Sequence, residues 1–410
     1  MFDSTYKYFN LMTRNALIKK VNGYVDKSKS VSEEIINIKA NYKLDKVYRF
    51  DLGENVDGFS NKVKEFFDNS SLYIDICKSL NEYPDITHCS LRQEIANFYG
   101  IQKNNVVISA GLDSILDIIS RIFINNNDYC LMPSPDFFLF ENYSERMGAR
   151  PLYVILNERN NFEWTDETFK KFCDLIIQHK PKIAWLSNPN NPTGQLINKN
   201  YLKDIIEFTF KKDVFLVIDE AYGEYIQDQE YSAIKYIKNY KHLMVLRNFS
   251  KAYGLAGLRI GYLMTSSKDI INAFLIYRHY FPAIQLALNI ASIALKDQDF
   301  IKQTIINCYN RYKVLYNQFE NLKTFKIIPS CINIYLLRNK YLSNIELYTL
   351  LKKRGIISSI IRNIDEPGPN YLRITLKKEE ENNFLVKKCE EIEKEILELG
   401  IGIERHQLSN

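Results

Sequence analysis

The stretch RNFSKAYGLAGLRIGYL, Arg247 to Leu263, sets Lys251 directly after Ser250 and eight positions before Arg259, among small residues. A lysine amine can attack a carbonyl or carry a proton, and a serine hydroxyl beside an arginine fork suits a phosphate. Three other stretches carry groups of the same kind. Ala110-Gly111-Leu112-Asp113-Ser114 is a small-residue turn ahead of a helical pattern, where the free N–H groups near Gly111, Leu112 and Asp113 can bind a phosphate. NPNNPTG, residues 188–194, is a proline-locked turn that presents Asn191, and Asp219-Glu220-Ala221-Tyr222 adds a carboxylate and a phenol. Taken singly, each is most often only a turn, a cap or an ion pair. Taken together, a phosphate cradle, an amide, a carboxylate, a phenol and a lysine point to one site.

Position supports this, because each feature follows a short apolar, β-branched run: NNVVISA (104–110), KIAWLSNP (182–189), VFLVIDEAY (214–222) and HLMVLRNFS (242–250). With DYCLMPSP (128–135) and LRIGYLMT (258–265), these read as buried strands. Helical patterns such as LDSILDIISRIFI (112–124) and TFKKFCDLIIQHK (168–180) lie between them. Alternating strand and helix predicts an α/β fold with a mainly parallel, doubly wound sheet, and such sheets bind ligands at the carboxyl ends of their strands. After about residue 285 the pattern changes to longer helices with two strand-like runs, CINIYLLR (331–338) and NYLRITLK (370–377). The final helix repeats apolar positions at 385, 389, 392, 396 and 399 and is expected to stop at Gly400. This predicts a smaller α+β domain.

Composition narrows the function classes. The 410 residues are 46% hydrophobic and 13% aromatic, enough for a sizeable core. The 54 Lys and Arg against 49 Asp and Glu are interleaved and leave a net charge of only +5, which argues against nucleic acid as the main partner. Seven scattered cysteines without C-x-x-C pairing suggest neither disulfides nor a zinc site, and the five histidines show no catalytic or metal spacing. No membrane span or signal peptide is expected, so the sequence predicts a soluble cytoplasmic protein.

The motifs YPD, NPNNPTG, DEAYGEY, SKAYGLAGLRIGY and LRIT, in this order over roughly residues 50–376, resemble those of the fold type I pyridoxal-phosphate enzymes. Within that group the chain resembles the class I and II aminotransferases, in the branch that holds the histidinol-phosphate aminotransferases and threonine-phosphate decarboxylases. The resemblance implies three parts: an N-terminal arm with part of the small domain (1–60), a large cofactor-binding domain (61–285) and a small C-terminal α+β domain (286–410). It implies that Lys251 joins the cofactor pyridoxal 5'-phosphate as a Schiff base and moves the substrate α-proton. Asp219 would pair with the ring nitrogen, and Asn191 and Tyr222 with the phenolic oxygen. Ser250, Arg259 and the Gly111–Asp113 turn would hold the phosphate. Phe137, in PSPDFFLF, falls where this family stacks an aromatic on the ring, although a single aromatic in an apolar run is as readily packing.

Further positions carry over by resemblance alone. Tyr83 in EYPD matches a tyrosine that reaches the cofactor phosphate of a neighbouring subunit, which implies a homodimer with shared active sites; a turn tyrosine before a proline is the alternative. Arg373 in LRIT matches the arginine that forks the substrate α-carboxylate, and Arg362 lies where relatives contact a distal phosphate. The implied reaction takes an amino donor, small and possibly phosphorylated, and a keto acid acceptor such as 2-oxoglutarate. Decarboxylation of a phosphoamino acid in the same cofactor frame is the alternative. A non-catalytic regulator is disfavoured by the intact Lys251, Asp219 and Arg259 and by an N-terminal stretch without a clear helix-turn-helix.

Overall fold

The apolar runs pair where their β-branched side chains can be covered from both faces. A computed structural model describes residues 30–69, 74, 81–361 and 370–398. Strands β1 (Val106–Ser109), β2 (Tyr129–Ser134), β3 (Arg150–Ile155), β4 (Ile183–Ser187), β5 (Phe215–Asp219), β6 (Leu243–Asn248) and β7 (Gly261–Met264) form one sheet in the order β1-β7-β6-β5-β4-β2-β3. Every residue of β1, β4, β6 and β7 is buried, as two covered faces require. All neighbouring pairs run parallel except those of β7, which is antiparallel to both β1 and β6.

Helices α1 (Gly111–Phe123), α2 (Phe138–Arg146), α3 (Asp166–His179), α4 (Lys199–Lys211) and α5 (Lys268–Tyr277) cover the sheet. Ile115 of α1, Phe140 of α2 and Phe274 of α5 share one core with Trp185, Val217, Met244 and Leu263 from the strands. The rings of Phe140 and Trp185 stack there, 5.5 Å apart at 16°. Helices α3 and α4 lie against β3 and β5, burying Phe172, Ile176, Leu202 and Ile205. Strand β3 is absent from the runs recognised in the sequence, for a physical reason. It is the sheet edge, only Val154 of its six residues is buried, and Pro151, which has no N–H to donate, is tolerated because just one neighbour pairs with it.

The chain divides into two compact units: one takes in Asp57–Asn191 and Gln195–Thr304, the other Asn22–Val56, Pro192–Gly194 and Ile305–Asn410. The large sheet belongs to the first. The second carries β8 (Phe325–Ile327), β9 (Ile334–Asn339), β10 (Ser359–Ile360) and β11 (Leu372–Thr375) in an antiparallel sheet of order β10-β11-β9-β8. Helix α6 (Glu379–Glu398) buries Leu385, Cys389, Ile392 and Ile396, the stripe expected from the sequence. The expected stop at Gly400 and the last apolar position, Leu399, lie outside the described residues.

Candidate active site

The reversal at β7 explains why Lys251 and Arg259 stay at one rim of the sheet. A parallel β7 would have required residues 249–260 to cross to the far end of the sheet. Because β7 is antiparallel, Asn248 pairs with Gly261 and the whole loop stays at the carboxyl rim. On its other side Gly261 pairs with Ser109, the last residue of β1, so the loop meets the Gly111 turn. The expectation that Arg259 lies inside the next strand is corrected here. Arg259 takes a left-handed backbone conformation, φ 55°, after the turn Ala256–Leu258, and the strand begins two residues later. From that turn its guanidinium covers Gly111, where an added Cβ would lie 2.6 Å from Nη2.

Gly111 has φ 76°, and Ala110 before it offers no side-chain cap to α1. The first-turn N–H groups of Gly111, Leu112 and Asp113 therefore lack an acceptor from the cap position. Asp113 accepts the hydroxyl of Tyr143. Ser250 is buried, and its N–H donates to Asn248 Oδ1 at 2.8 Å.

Asp219 ends β5 between Ser187 and Leu246 of the adjoining strands and is 3% exposed. Burial pushes its carboxyl up to about 7, against the opposing pull of the Ala221 N–H, which donates at 2.9 Å, and of the Lys251 charge. The Lys251 ammonium lies 5.1 Å from the centre of the Tyr222 ring. Tyr222 is buried, its hydroxyl has no hydrogen-bond partner, and burial together with the Asp219 charge raises its pKa. Leaving such a hydroxyl unpaired costs about 1–3 kcal/mol, which a ligand oxygen would recover. Asn191 is buried in a turn pinned by Asn188, whose side chain donates to Tyr231 O (2.8 Å) and accepts the Ile197 N–H (2.9 Å).

Gly111, Leu112, Asp113, Asn191, Asp219, Tyr222, Ser250, Lys251 and Arg259 thus stand at or beside the carboxyl ends of β1, β4, β5 and β6. Phe137 follows β2 at the same end; it is half-buried, edge-on to Phe138 and Phe140, and packed on the helix-covered core. Tyr83 is 82% exposed and stacks on Phe281, ring centres 4.5 Å apart. Arg373 belongs to the other unit, on β11; it is buried, donates to Asp51 O and to Ser359 Oγ (3.2 Å), and burial pulls its guanidinium down to about 9. Arg362 lies outside the described residues.

Two supports escaped the sequence reading. Arg247 on β6 forks onto Glu220 (2.9 and 2.6 Å) and reaches Glu224 (3.0 Å), locking the loop that carries Tyr222. Gly223 lets that fork close, since a Cβ there would sit 2.4 Å from Arg247 Cζ. An arginine within a fully buried strand was the available signal, because such a charge needs a partner. The second is Asp136, two residues after the end of β2. Its carboxylate accepts the N–H of Phe137 (2.7 Å), the N–H of Ser187 (3.2 Å) and the Ser187 hydroxyl.

A rim of this kind, with a lysine, a buried strand-end carboxylate and a glycine turn beneath an arginine fork, suits one class of enzyme, and comparison with known proteins gives the same one. The chain belongs to the class I and II aminotransferases, whose family model matches residues 46–388. It is an enzyme, a pyridoxal-phosphate-dependent aminotransferase. It is 31% identical over 388 residues to the histidinol-phosphate aminotransferase of Methanococcus aeolicus, spanning 93% of this chain and 97% of that protein. Against the enzyme of the same name from Caldicellulosiruptor saccharolyticus it is 31% identical over 382 residues, 92% of this chain and 99% of that one. Among solved structures, the Sinorhizobium meliloti histidinol-phosphate aminotransferase in complex with pyridoxal-5'-phosphate superposes with a TM-score of 0.79 at 19% identity, covering 97% and 99% of the two chains. The Porphyromonas gingivalis L-threonine-O-3-phosphate decarboxylase does so at 0.70 and 21%, covering 84% and 99%. At these identities the two structures establish the fold alone. The rim fits the cofactor: the Tyr222 hydroxyl needs an acceptor, the lifted Asp219 carboxyl gains from a neighbouring cation, and the bare Gly111 lies against the Arg259 fork.

Proposed function

We propose that this chain transfers the amino group of histidinol phosphate, or of a closely similar amino phosphate, to a keto acid such as 2-oxoglutarate. The observation that carries the reading is the meeting of Lys251, the Asp219 carboxylate and the unpaired Tyr222 hydroxyl at one rim, in a chain matching histidinol-phosphate aminotransferases along nearly its full length.

Pyridoxal phosphate supplies an electron-accepting ring that makes the Cα–H bond of an attached amine acidic. In our reading Lys251 anchors the cofactor and, once its amine is released, takes the Cα proton and returns it. Asp219 holds a proton on the ring nitrogen; Tyr222 and Asn191 hydrogen-bond the phenolic oxygen. Ser250, Arg259 and the N–H groups of Gly111, Leu112 and Asp113 bind the phosphate, and Phe137 covers a ring face. To Arg373 we assign the carboxylate of the acid partner. Burial disfavours its charged form, and a bound carboxylate would favour that form again, which supports this. Arg362 is proposed for the distal phosphate of the substrate.

We also propose the three-part division at 60 and 285, a homodimer in which Tyr83 reaches the partner's cofactor phosphate, and a cytoplasmic location. Tyr83, Tyr280, Phe281 and Ile284 are all exposed in the first unit, which supports a covering subunit, and six free cysteines among the described residues suit a reducing compartment. No helix among the described residues is long and apolar enough to cross a membrane.

The test is to supply histidinol phosphate with 2-oxoglutarate and follow glutamate. Glutamate formation, with faster turnover than for unphosphorylated amino acids, is expected. Carbon dioxide release from a phosphoamino acid, without formation of a pyridoxamine form of the cofactor, would decide for the decarboxylase instead.

A further inference from the structure

Strands β2 and β4 are hydrogen-bonded neighbours only at Cys130–Ile183 and Leu131–Ala184, so their ladder stops before either reaches the carboxyl rim. At the rim the gap between them is bridged by a side chain. Asp136 Oδ2 accepts the Ser187 N–H at 3.2 Å, and Oδ1 accepts the Ser187 hydroxyl and the Phe137 N–H, the latter at 2.7 Å. Ser187 Oγ in turn accepts the Asn191 N–H at 3.0 Å. One carboxylate therefore fixes the backbone of Phe137 after one strand and, through one hydroxyl, the backbone of Asn191 in the turn after the next.

We propose that Asp136 is a positioning residue for the cofactor, acting through Ser187 on Asn191 and directly on Phe137. The inference rests on the reading of Asn191 and Phe137 as ring contacts. A carboxylate suits the task better than a hydroxyl or an amide. It can take three N–H or O–H donors at once, whereas an amide would turn its own N–H toward the Ser187 N–H. The arrangement has an electrostatic cost: crowding by protein and the Asp219 charge push the Asp136 carboxyl up, to about 8, against the pull of its three donors. A group set beyond two strand ends, bonded to the Phe137 backbone and, through Ser187, to that of Asn191, is placed for the ligand rather than for the sheet.

The test measures pyridoxal phosphate affinity, by fluorescence titration of the cofactor-stripped full-length protein, alongside its melting temperature. Asp136→Ala and Ser187→Ala should each weaken binding about tenfold, the effect of losing one hydrogen bond to a charged group. Asp136→Asn should fall between, and it carries the test should Asp136→Ala not fold. The double variant should be no weaker than the weaker single, because both act along one chain of contacts. Lowered melting temperature with normal cofactor affinity would overturn the proposal, as would effects that add. Asn191→Ala separates this from the site reading. Normal affinity in that variant would remove Asn191 from the cofactor and the route from Asp136 with it. Weak affinity there, with normal affinity in Asp136→Asn and Ser187→Ala, would overturn the positioning role alone.

Discussion

Lys251 lies over the Tyr222 ring and its charge acts on the buried Asp219 carboxyl, so the free energies at stake are set by burial. Borohydride reduction of the cofactor-loaded protein, followed by peptide mapping, should attach the label to Lys251; a label on another lysine would contradict the assignment. Lys251→Ala should keep the cofactor through the phosphate contacts and lose turnover. Asp219→Asn should cost roughly a thousandfold in rate, about 4 kcal/mol, because the ring nitrogen loses the carboxylate that keeps it protonated. The same residue predicts a pH signature in the cofactor-free protein. Its folded-state value near 7 lies above the ordinary carboxyl value, so the folded state holds a proton that the unfolded state has released between about pH 4 and 7. Stability from this group is present at low pH and lost as pH rises through 7. The neutral Asp219→Asn should therefore gain stability relative to wild type as pH climbs from 4 to 7, by up to a few kcal/mol, measured by urea unfolding. A flat difference would mean that Asp219 titrates normally.

At the scale of elements, the site depends on close approach of three turns. Gly261 lies between Ser109 and Asn248, and a Cβ on it would stand 2.8 Å from Gly111 C and Leu112 N. Gly111 needs both its positive φ and its missing side chain. Gly111→Ala should lose about 1–2 kcal/mol from the left-handed backbone alone. It should also weaken cofactor binding by displacing the Arg259 fork, which a melting curve and a cofactor titration would report separately. The runs later seen as β1, β2 and β4 to β7 were legible because two-sided burial demands unbroken apolar residues. The edge strand β3, half-exposed and opened by Arg150 and Pro151, gave no such pattern.

For the whole molecule, the proposal of shared sites makes a distinctive prediction. Lys251→Ala and Tyr83→Phe proteins, each weakly active or inactive alone, should regain activity when unfolded together and refolded as hybrids, since one of the two sites then holds a native Lys251 and a native Tyr83. A monomer in solution with fully active Tyr83→Phe would end the shared-site reading. The exposed Tyr280, at 77%, and Ile284, at 63%, should become protected from hydrogen exchange in their neighbourhood if a second copy covers them.

The sequence by itself determined the groups that do chemistry and their order, because each sits in a short local motif: Ser250-Lys251, Asp219 three residues before Tyr222, Asn191 between prolines, Gly111 ahead of a helix. It also determined the class of fold, since strand and helix periodicities are local too. Tertiary structure alone decided that β7 turns back and returns Arg259 to Gly111, that Arg247 reaches Glu220 across 27 positions, and that Asp136 ties itself to Ser187 across 51. These contacts depend on which strands become neighbours and in what register. That choice is made by packing many apolar side chains at once, and no single stretch of chain records it.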